Sequence, residues 1–305
     1  MKLILLTGFL GAGKTTLLKK LLREYEGRKI GVLMNEFGET GIDGQLIKTE
    51  DFDLIELNNG SVFCACLKEN FIKGLAEFLN HPLEVVFVES SGVADPSNMG
   101  VILETVTKIS GKAYDYAGSI CIVDGVYFLK QFEVIAALEK QIIYASKVII
   151  NKADLQNAET LQAIAEKIQS INSAAEIYPT SFCEVPLAEL VKTMKSAELV
   201  ARPSENTWES RPHSCILKTE AVLDLDIFEQ FINEIKGSTH RIKGFVKTDQ
   251  GIFEVSCVNK LAVLKPWTKP VEQTEIVLIS AVGIRMISDL LKLWKKYLGD
   301  TPVSI

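Results

Sequence analysis

The sequence predicts an α/β fold, a domain built on a mostly parallel sheet, followed by a smaller α+β domain. Three observations predict it. From residue 2 to about 182, short apolar runs alternate with segments of helical period, the pattern of parallel strands buried on both faces and joined by crossover helices. A polar, proline-bearing stretch at 196–212 has no clear period and breaks that alternation. The 305 residues also exceed the ~100 to 200 typical of one domain. The expected division is therefore a first domain at 1–195, a linker at 196–212 and a second domain at 213–305.

In the first domain the expected strands are "KLILLTG" (2–8), "KIGVLMNEF" (29–37), "FDLIEL" (52–57), "LEVVFVES" (83–90), "AGSICIVDG" (117–125), "KVIINKAD" (147–154) and "AEIYPTSF" (175–182). Between them, "KTTLLKKLLREYE" and "AETLQAIAEKIQSI" space their leucines, isoleucines and alanines as helices do. The second domain reads as strand ("HSCILKTEAV"), helix ("LDIFEQFINEIKG"), three strands ("HRIKGFVKTD", "GIFEVSCV", "LAVLKPW"), strand ("TEIVLIS") and helix ("IRMISDLLKLWKKYL").

Composition narrows the function classes. Hydrophobic residues make up 47% and charged residues 24% of the chain, an ordinary globular balance without a disordered tail. The apolar run at "MKLILLTGFLGAGK" is too short for a signal peptide or a membrane span, so a cytoplasmic location without membrane attachment is expected. The net charge of −6 is scattered, which argues against nucleic acid as a partner. Six cysteines without a signal sequence read as reduced thiols, not as a disulfide framework.

The strongest chemical signal is "GFLGAGKT" at 8–15, which fits G-x-x-x-x-G-K-[ST] between an apolar strand and a helix. Gly8, Gly11 and Gly13 let backbone N–H groups turn inward around phosphates, with Ala12 and Thr16 completing the nucleotide-binding stretch. Lys14 would bridge the β- and γ-phosphates and Thr15 would hold Mg²⁺. The helix that follows aims its positive end at the same anion. An apolar strand ending in Glu89 supplies a metal-side carboxylate, here Glu where Asp is more usual. Gly92 could offer its N–H to a γ-phosphate and move when that phosphate leaves.

The third element is "NKAD" at 151–154, directly after "KVII". A carboxylate at Asp154 can accept from both guanine N1–H and the exocyclic amine, whereas adenine would leave it unpaired, so GTP is expected over ATP. Lys152 would lay its methylene stem along the base and Asn151 would brace the loop. No arginine stands in an obvious finger position and no water-orienting glutamine follows the fourth strand, so unaided turnover should be slow.

Loops leaving the carboxyl ends of parallel strands share one edge. That edge should collect the phosphate loop, "NEFGETGIDG", "NNGSVFCAC", "ESSGVADP" and "NKAD", placing Cys64 and Cys66 near the nucleotide. Two thiolates can serve a tetrahedral Zn²⁺ with Glu36, Glu39, Asp43, water or a partner's ligand in the other positions. Equally, the pair can be two small apolar side chains that lie close together. The three histidines, 81, 213 and 240, show no ligand spacing.

Taken together, "GFLGAGKTT", "NEFGE" with "ID" following, "ELNNG", "ESSGVADP", "NKAD" and "RIKGF" (241–245) resemble the CobW-like P-loop GTPases in order and spacing, across both domains. The resemblance implies GTP hydrolysis driving a cycle that loads a divalent metal, zinc or cobalt, onto a client metalloprotein or corrinoid protein, with homo-oligomerisation left open. One departure falls on the cysteines. The family's C-x-C-C after the glycine of "ELxxG" is replaced by "SVFCAC", so Ser61 and Phe63 stand where thiols are expected, Cys64 matches the third position and Cys66 is extra. A second reading is a nucleotide-gated client-binding protein in which no metal passes through the cysteines. A small-molecule kinase is less consistent, because "NKAD" suits a GTPase better.

Overall fold

A computed structural model describes residues 1–35, 53–57, 65–92, 94–133, 135–194, 213–258 and 260–305. The chain divides into two compact units, Met1–Ser210 and Arg211–Ile305. The linker expected at 196–212 lies outside the described residues.

The first unit runs β1 (Lys2–Thr7), α1 (Lys14–Glu24), β2 (Ile30–Asn35), β3 (Asp53–Leu57), α2 (Ala65–Phe78), β4 (Val85–Glu89), α3 (Met99–Ser110), β5 (Asp115–Asp124), α4 (Phe128–Phe132), α5 (Ala136–Ile143), β6 (Ala145–Asn151), α6 (Ala158–Ile171), β7 (Glu176–Pro179) and α7 (Leu187–Thr193). Its sheet has the order β3-β2-β4-β1-β5-β6-β7, and every pairing in it is parallel. All five residues of β4 are buried, as are nine of the ten in β5, which explains their unbroken apolar runs. Helices cover both faces. Leu17, Leu18 and Leu21 of α1 pack with Ile4, Val32 and Ile120 on one side, and Phe71 and Leu75 of α2 pack with Leu3, Leu33 and Val88 on the other.

Each of the seven expected strands is present, and several stop one to three residues short of the expected end. The residues beyond those ends, Gly8, Ser90, Gly125 and Lys152 to Asp154, peel off the sheet into loops. Strand order explains why these loops matter. β2, β3 and β4 lie to one side of β1 and β5 to β7 to the other, so the strand order reverses at β1, the kind of switch point outside whose carboxyl ends open parallel sheets bind their ligands.

The second unit runs β8 (Ser214–Thr219), α8 (Leu225–Ile235), β9 (Thr239–Thr248), β10 (Gly251–Val258), β11 (Leu261–Trp267), β12 (Thr274–Ser280) and α9 (Arg285–Leu298). Its antiparallel sheet has the order β11-β10-β9-β12-β8. Phe228, Phe231 and Ile232 of α8 and Met286, Leu290 and Trp294 of α9 share one core with Leu217, Ile242 and Ile276 of the sheet. Asp224 starts α8 by accepting from the Ile227 N–H at 2.9 Å, a cap of the kind acidic side chains provide. Within "RIKGF", Gly244 lies in mid-strand because a Cβ there would come 2.0 Å from the Glu275 carbonyl oxygen. Among the described residues no helix is long and apolar enough to cross a membrane.

Candidate functional site

The loop between β1 and α1 needs its glycines. Gly8, Gly11 and Gly13 have φ of 132°, 77° and 122°, values that residues bearing a Cβ rarely adopt. A Cβ on Gly8 would also lie 2.2 Å from the Ile122 carbonyl oxygen. Lys14 opens α1 and is buried. Its ammonium donates to the carbonyls of Gly8 at 2.8 Å and Phe9 at 3.2 Å, holding the positive charge inside the loop. α1 has no side-chain cap and no acidic residue in its first turn, so the positive end of its dipole faces the loop without an acidic side chain of its own first turn to offset it, as suits an anion.

Thr15, one residue further, donates its hydroxyl to Glu89 Oε1 at 2.9 Å. Glu89 is the last residue of β4 and is buried. The pair is two hard oxygen donors beside a phosphate-type loop, which is the donor chemistry Mg²⁺ takes. Gly92 lies hard against the same loop, since a Cβ there would sit 2.7 Å from Leu10 N and 2.6 Å from Leu10 Cδ2. From α5 the buried Gln141 donates to the carbonyls of Gly92 at 3.3 Å and Ala94 at 3.0 Å. Asp95 caps the next turn through Ser97 N–H at 2.9 Å.

Asn151, at the end of β6, joins three loops. Its Nδ2 donates to the Ala12 carbonyl at 2.8 Å, and its Oδ1 accepts from the Cys183 N–H at 3.0 Å. Lys152 adopts the left-handed region at φ 62°, and its ammonium meets Asp124 Oδ2 at 2.5 Å. Asp154 lies in the turn Ala153–Leu155, and its N–H donates to Ser181 Oγ at 3.1 Å. Its neighbour Ala153 donates to the Thr180 carbonyl at 2.9 Å. Cys183 Sγ approaches the Gly13 carbonyl at 3.7 Å, and burial pushes this thiol up to about 12. Gly8 through Thr16, Glu89, Gly92, Asn151, Lys152 and Asp154 thus gather at one edge of the sheet.

Sequence reasoning did not single out Asp124, Gln141 or the stretch Thr180–Cys183. A signal existed for Asp124, because "VDG" ends an apolar strand at the same edge. None existed for Gln141, which looks like any polar residue of an amphipathic helix. The expected metal residues fall mostly elsewhere: Glu36, Glu39, Asp43 and Cys64 lie outside the described residues. Cys66 belongs to the first turn of α2, the helix that crosses back from β3 to β4. Among the described residues no group of three or more His, Cys, Asp or Glu could hold a metal ion.

Residues 2–179 match the nucleotide-binding domain of the CobW/HypB/UreG family. The chain belongs to that family. Among curated relatives, the zinc chaperone YjiA of Escherichia coli (strain K12) is 33% identical over 62% of this chain and 60% of its own length. The zinc chaperone CobW of Sinorhizobium sp is 28% identical over 92% of this chain and 85% of its own. The chain thus spans about 60% of the YjiA relative. Crystalline Zn(II)-bound YjiA GTPase from E. coli superposes with a TM-score of 0.48 at 24% identity, covering 97% of this chain and 98% of that one. Within the family match fall the loops from Gly8 to Asp154, whereas the stretch Thr180–Cys183 lies just beyond it.

Proposed function

We propose that this chain is a GTP-hydrolysing metallochaperone that couples nucleotide state to the binding and delivery of a divalent metal, zinc or cobalt, to a client protein. The observation that carries the reading is the meeting of three loops at one sheet edge, tied by Thr15 to Glu89 and by Asn151 to Ala12 and Cys183. Relatives named as zinc chaperones supply the metal half of the proposal. Residues 1–195 would form the nucleotide domain, 196–212 the linker and 213–305 the domain that docks a metalloprotein or corrinoid client. Among the described residues Cys121, Cys183, Cys215 and Cys257 are free, buried thiols, which suits a reducing cytoplasm.

In this reading, loop N–H groups and the Lys14 ammonium receive the β- and γ-phosphates, trading the two carbonyls that Lys14 now holds for phosphate oxygens. Thr15 and Glu89 would hold Mg²⁺, which when bound neutralises charge on the phosphates. Gly92 would donate its N–H to the γ-phosphate, and its crowding against Leu10 transmits any shift of one loop to the other. Asp154 would accept from the guanine edge. No residue in this set is an obvious base or arginine finger, so turnover without a partner is slow.

Coupling to the metal would run through α2. Phe71 of that helix lines a cavity of about 30 Å³ together with Ser90, Ala94 and Asp95, the stretch that follows Glu89. The helix that begins beside Cys66 therefore shares a boundary with the segment a γ-phosphate would move. Cys64 and Cys66, with Glu36, would carry the metal.

Two measurements test the proposal. GTP turnover of Lys14→Ala should fall far below wild type, and equal rates would reject the phosphate site. Zinc titration of the GTP- and GDP-bound forms should give different affinities that merge in the double variant Cys64→Ala/Cys66→Ala. Unchanged zinc stoichiometry in that variant would favour the second reading, a nucleotide-gated client-binding protein. The replacement of the C-x-C-C pattern by "SVFCAC" is the feature that keeps this alternative in play.

A further inference from the structure

We infer that Asp124 is a positioning residue for the nucleotide base: its carboxylate anchors the Lys152 ammonium, so that the lysine's methylene stem is laid out in advance as a platform for a purine ring. The inference rests on the guanine-site reading above and adds to it a residue from a different strand.

The geometry is that of a built anchor. The Asp124 side chain is 1% exposed, whereas that of Lys152 is 32% exposed, and their charged atoms lie 2.5 Å apart. Both carboxylate oxygens are engaged. Oδ1 accepts from the Val126 N–H at 2.9 Å, which fixes the plane of the carboxylate, and Oδ2 takes the ammonium.

The backbones are locked together as well. Gly125 N–H donates to the Asn151 carbonyl at 2.8 Å, and a Cβ on Gly125 would approach that oxygen to 2.9 Å. Lys152 itself is held in the left-handed region by the turn that its carbonyl closes with Leu155 N–H at 3.1 Å. With both ends of the lysine fixed, its four-carbon stem has few conformations left. A free lysine would lose that freedom only when the base bound, and the loss would weaken binding; one already anchored has lost it beforehand.

The stem offers only apolar contact and ring-face electrostatics, so it cannot tell one purine from another, whereas Asp154 reads the ring's edge. This separation makes the inference testable with fluorescent GDP and IDP, the latter lacking the exocyclic amine. Asp124→Asn should weaken both nucleotides together by about five- to tenfold, the effect of one rotamer-rich side chain left unordered, and leave the GDP/IDP ratio as in wild type. Lys152→Met keeps an unbranched stem without the ammonium, so adding Asp124→Asn to it should change neither affinity further.

Three outcomes sort the possibilities. If Asp124→Asn binds GDP within twofold of wild type, or weakens binding equally in the Lys152→Met background, the positioning role is overturned. If Asp154→Ala leaves both GDP affinity and the GDP/IDP ratio unchanged, the underlying guanine reading fails instead. Should Asp124→Asn not fold by circular dichroism, the comparison of Lys152→Met with the double variant decides: equal affinities support the role and a further loss overturns it.

Discussion

Thr15 donates its hydroxyl to Glu89 at 2.9 Å, joining the first turn of α1 to the last residue of β4 across 74 positions of sequence. Glu89 ends β4, and Thr15 stands at the start of the helix that follows the adjacent strand β1, the two strands pairing in the register Leu6 to Glu89. The contact is therefore framed by the sheet on the Glu89 side and by the glycine-rich loop on the Thr15 side.

That placement predicts a selective defect in Glu89→Gln. The amide can still accept from Thr15, so the fold should persist, but the negative charge beside the magnesium donors is lost. GTP turnover in Mg²⁺ should fall about 10- to 100-fold, the usual cost of disturbing a group that supports a metal. GDP affinity measured in EDTA should stay at the wild-type value. Wild-type turnover in this variant would remove Glu89 from the metal.

Gly92→Ala tests how closely the segment after β4 is pressed on the phosphate loop. The added methyl would meet Leu10 N at 2.7 Å and its side chain at 2.6 Å. Overpacking of this kind costs about 1–3 kcal/mol. The urea midpoint should drop accordingly, and an unshifted midpoint would mean that Leu10 yields without strain.

Most of this edge was legible in the chain because it depends on local chemistry. Glycines forced into φ above 70° at Gly8, Gly11 and Gly13, a lysine and threonine opening a helix, and Glu89 closing an apolar strand are all readable within a few residues. What was not legible depends on partners far apart in sequence. Lys152 reads as a base-contacting residue from "NKAD", yet the carboxylate that holds it lies 28 positions away. Gln141 reaches back 49 positions to Gly92. The strand-end overruns have the same origin: a residue such as Ser90 continues the apolar pattern's rhythm, but its hydroxyl and N–H both turn back to the Leu6 carbonyl at 3.0 Å and end the ladder.

Gln141 predicts an ordering of two substitutions. Its amide nitrogen serves the Gly92 and Ala94 carbonyls, while among the described residues its Oε1 has no partner. Gln141→Leu strands two buried carbonyls, and an unsatisfied buried group costs about 1–3 kcal/mol. Gln141→Glu places acceptor oxygens against those same carbonyls and should destabilise more than leucine does at neutral pH. Urea unfolding gives both values. The reverse order would mean that the carboxyl is taken up protonated or that the loop finds other donors.

The thiols give a prediction in pH. Burial raises Cys121 and Cys183 to about 12 and Cys215 to about 11, from an ordinary value of 9.0. A thiol whose folded value is raised holds its proton more tightly in the native state than in the unfolded chain. Its stabilising contribution is therefore complete below pH 9 and is lost as pH rises toward the folded value. Stability should accordingly decline between pH 9 and 11, and Cys183→Ala should make that decline shallower. The same shift leaves almost no thiolate at pH 8, and thiolate is the reactive form. Brief alkylation of the native protein with iodoacetamide at pH 8, followed by peptide mass spectrometry, should leave Cys121, Cys183, Cys215 and Cys257 unmodified. Any rapid labelling should map to Cys64 or Cys66 and be blocked by zinc. Rapid labelling of Cys183 instead would show that the loop against Gly13 opens on the timescale of the reagent, and the contact between the two could not then set the phosphate loop.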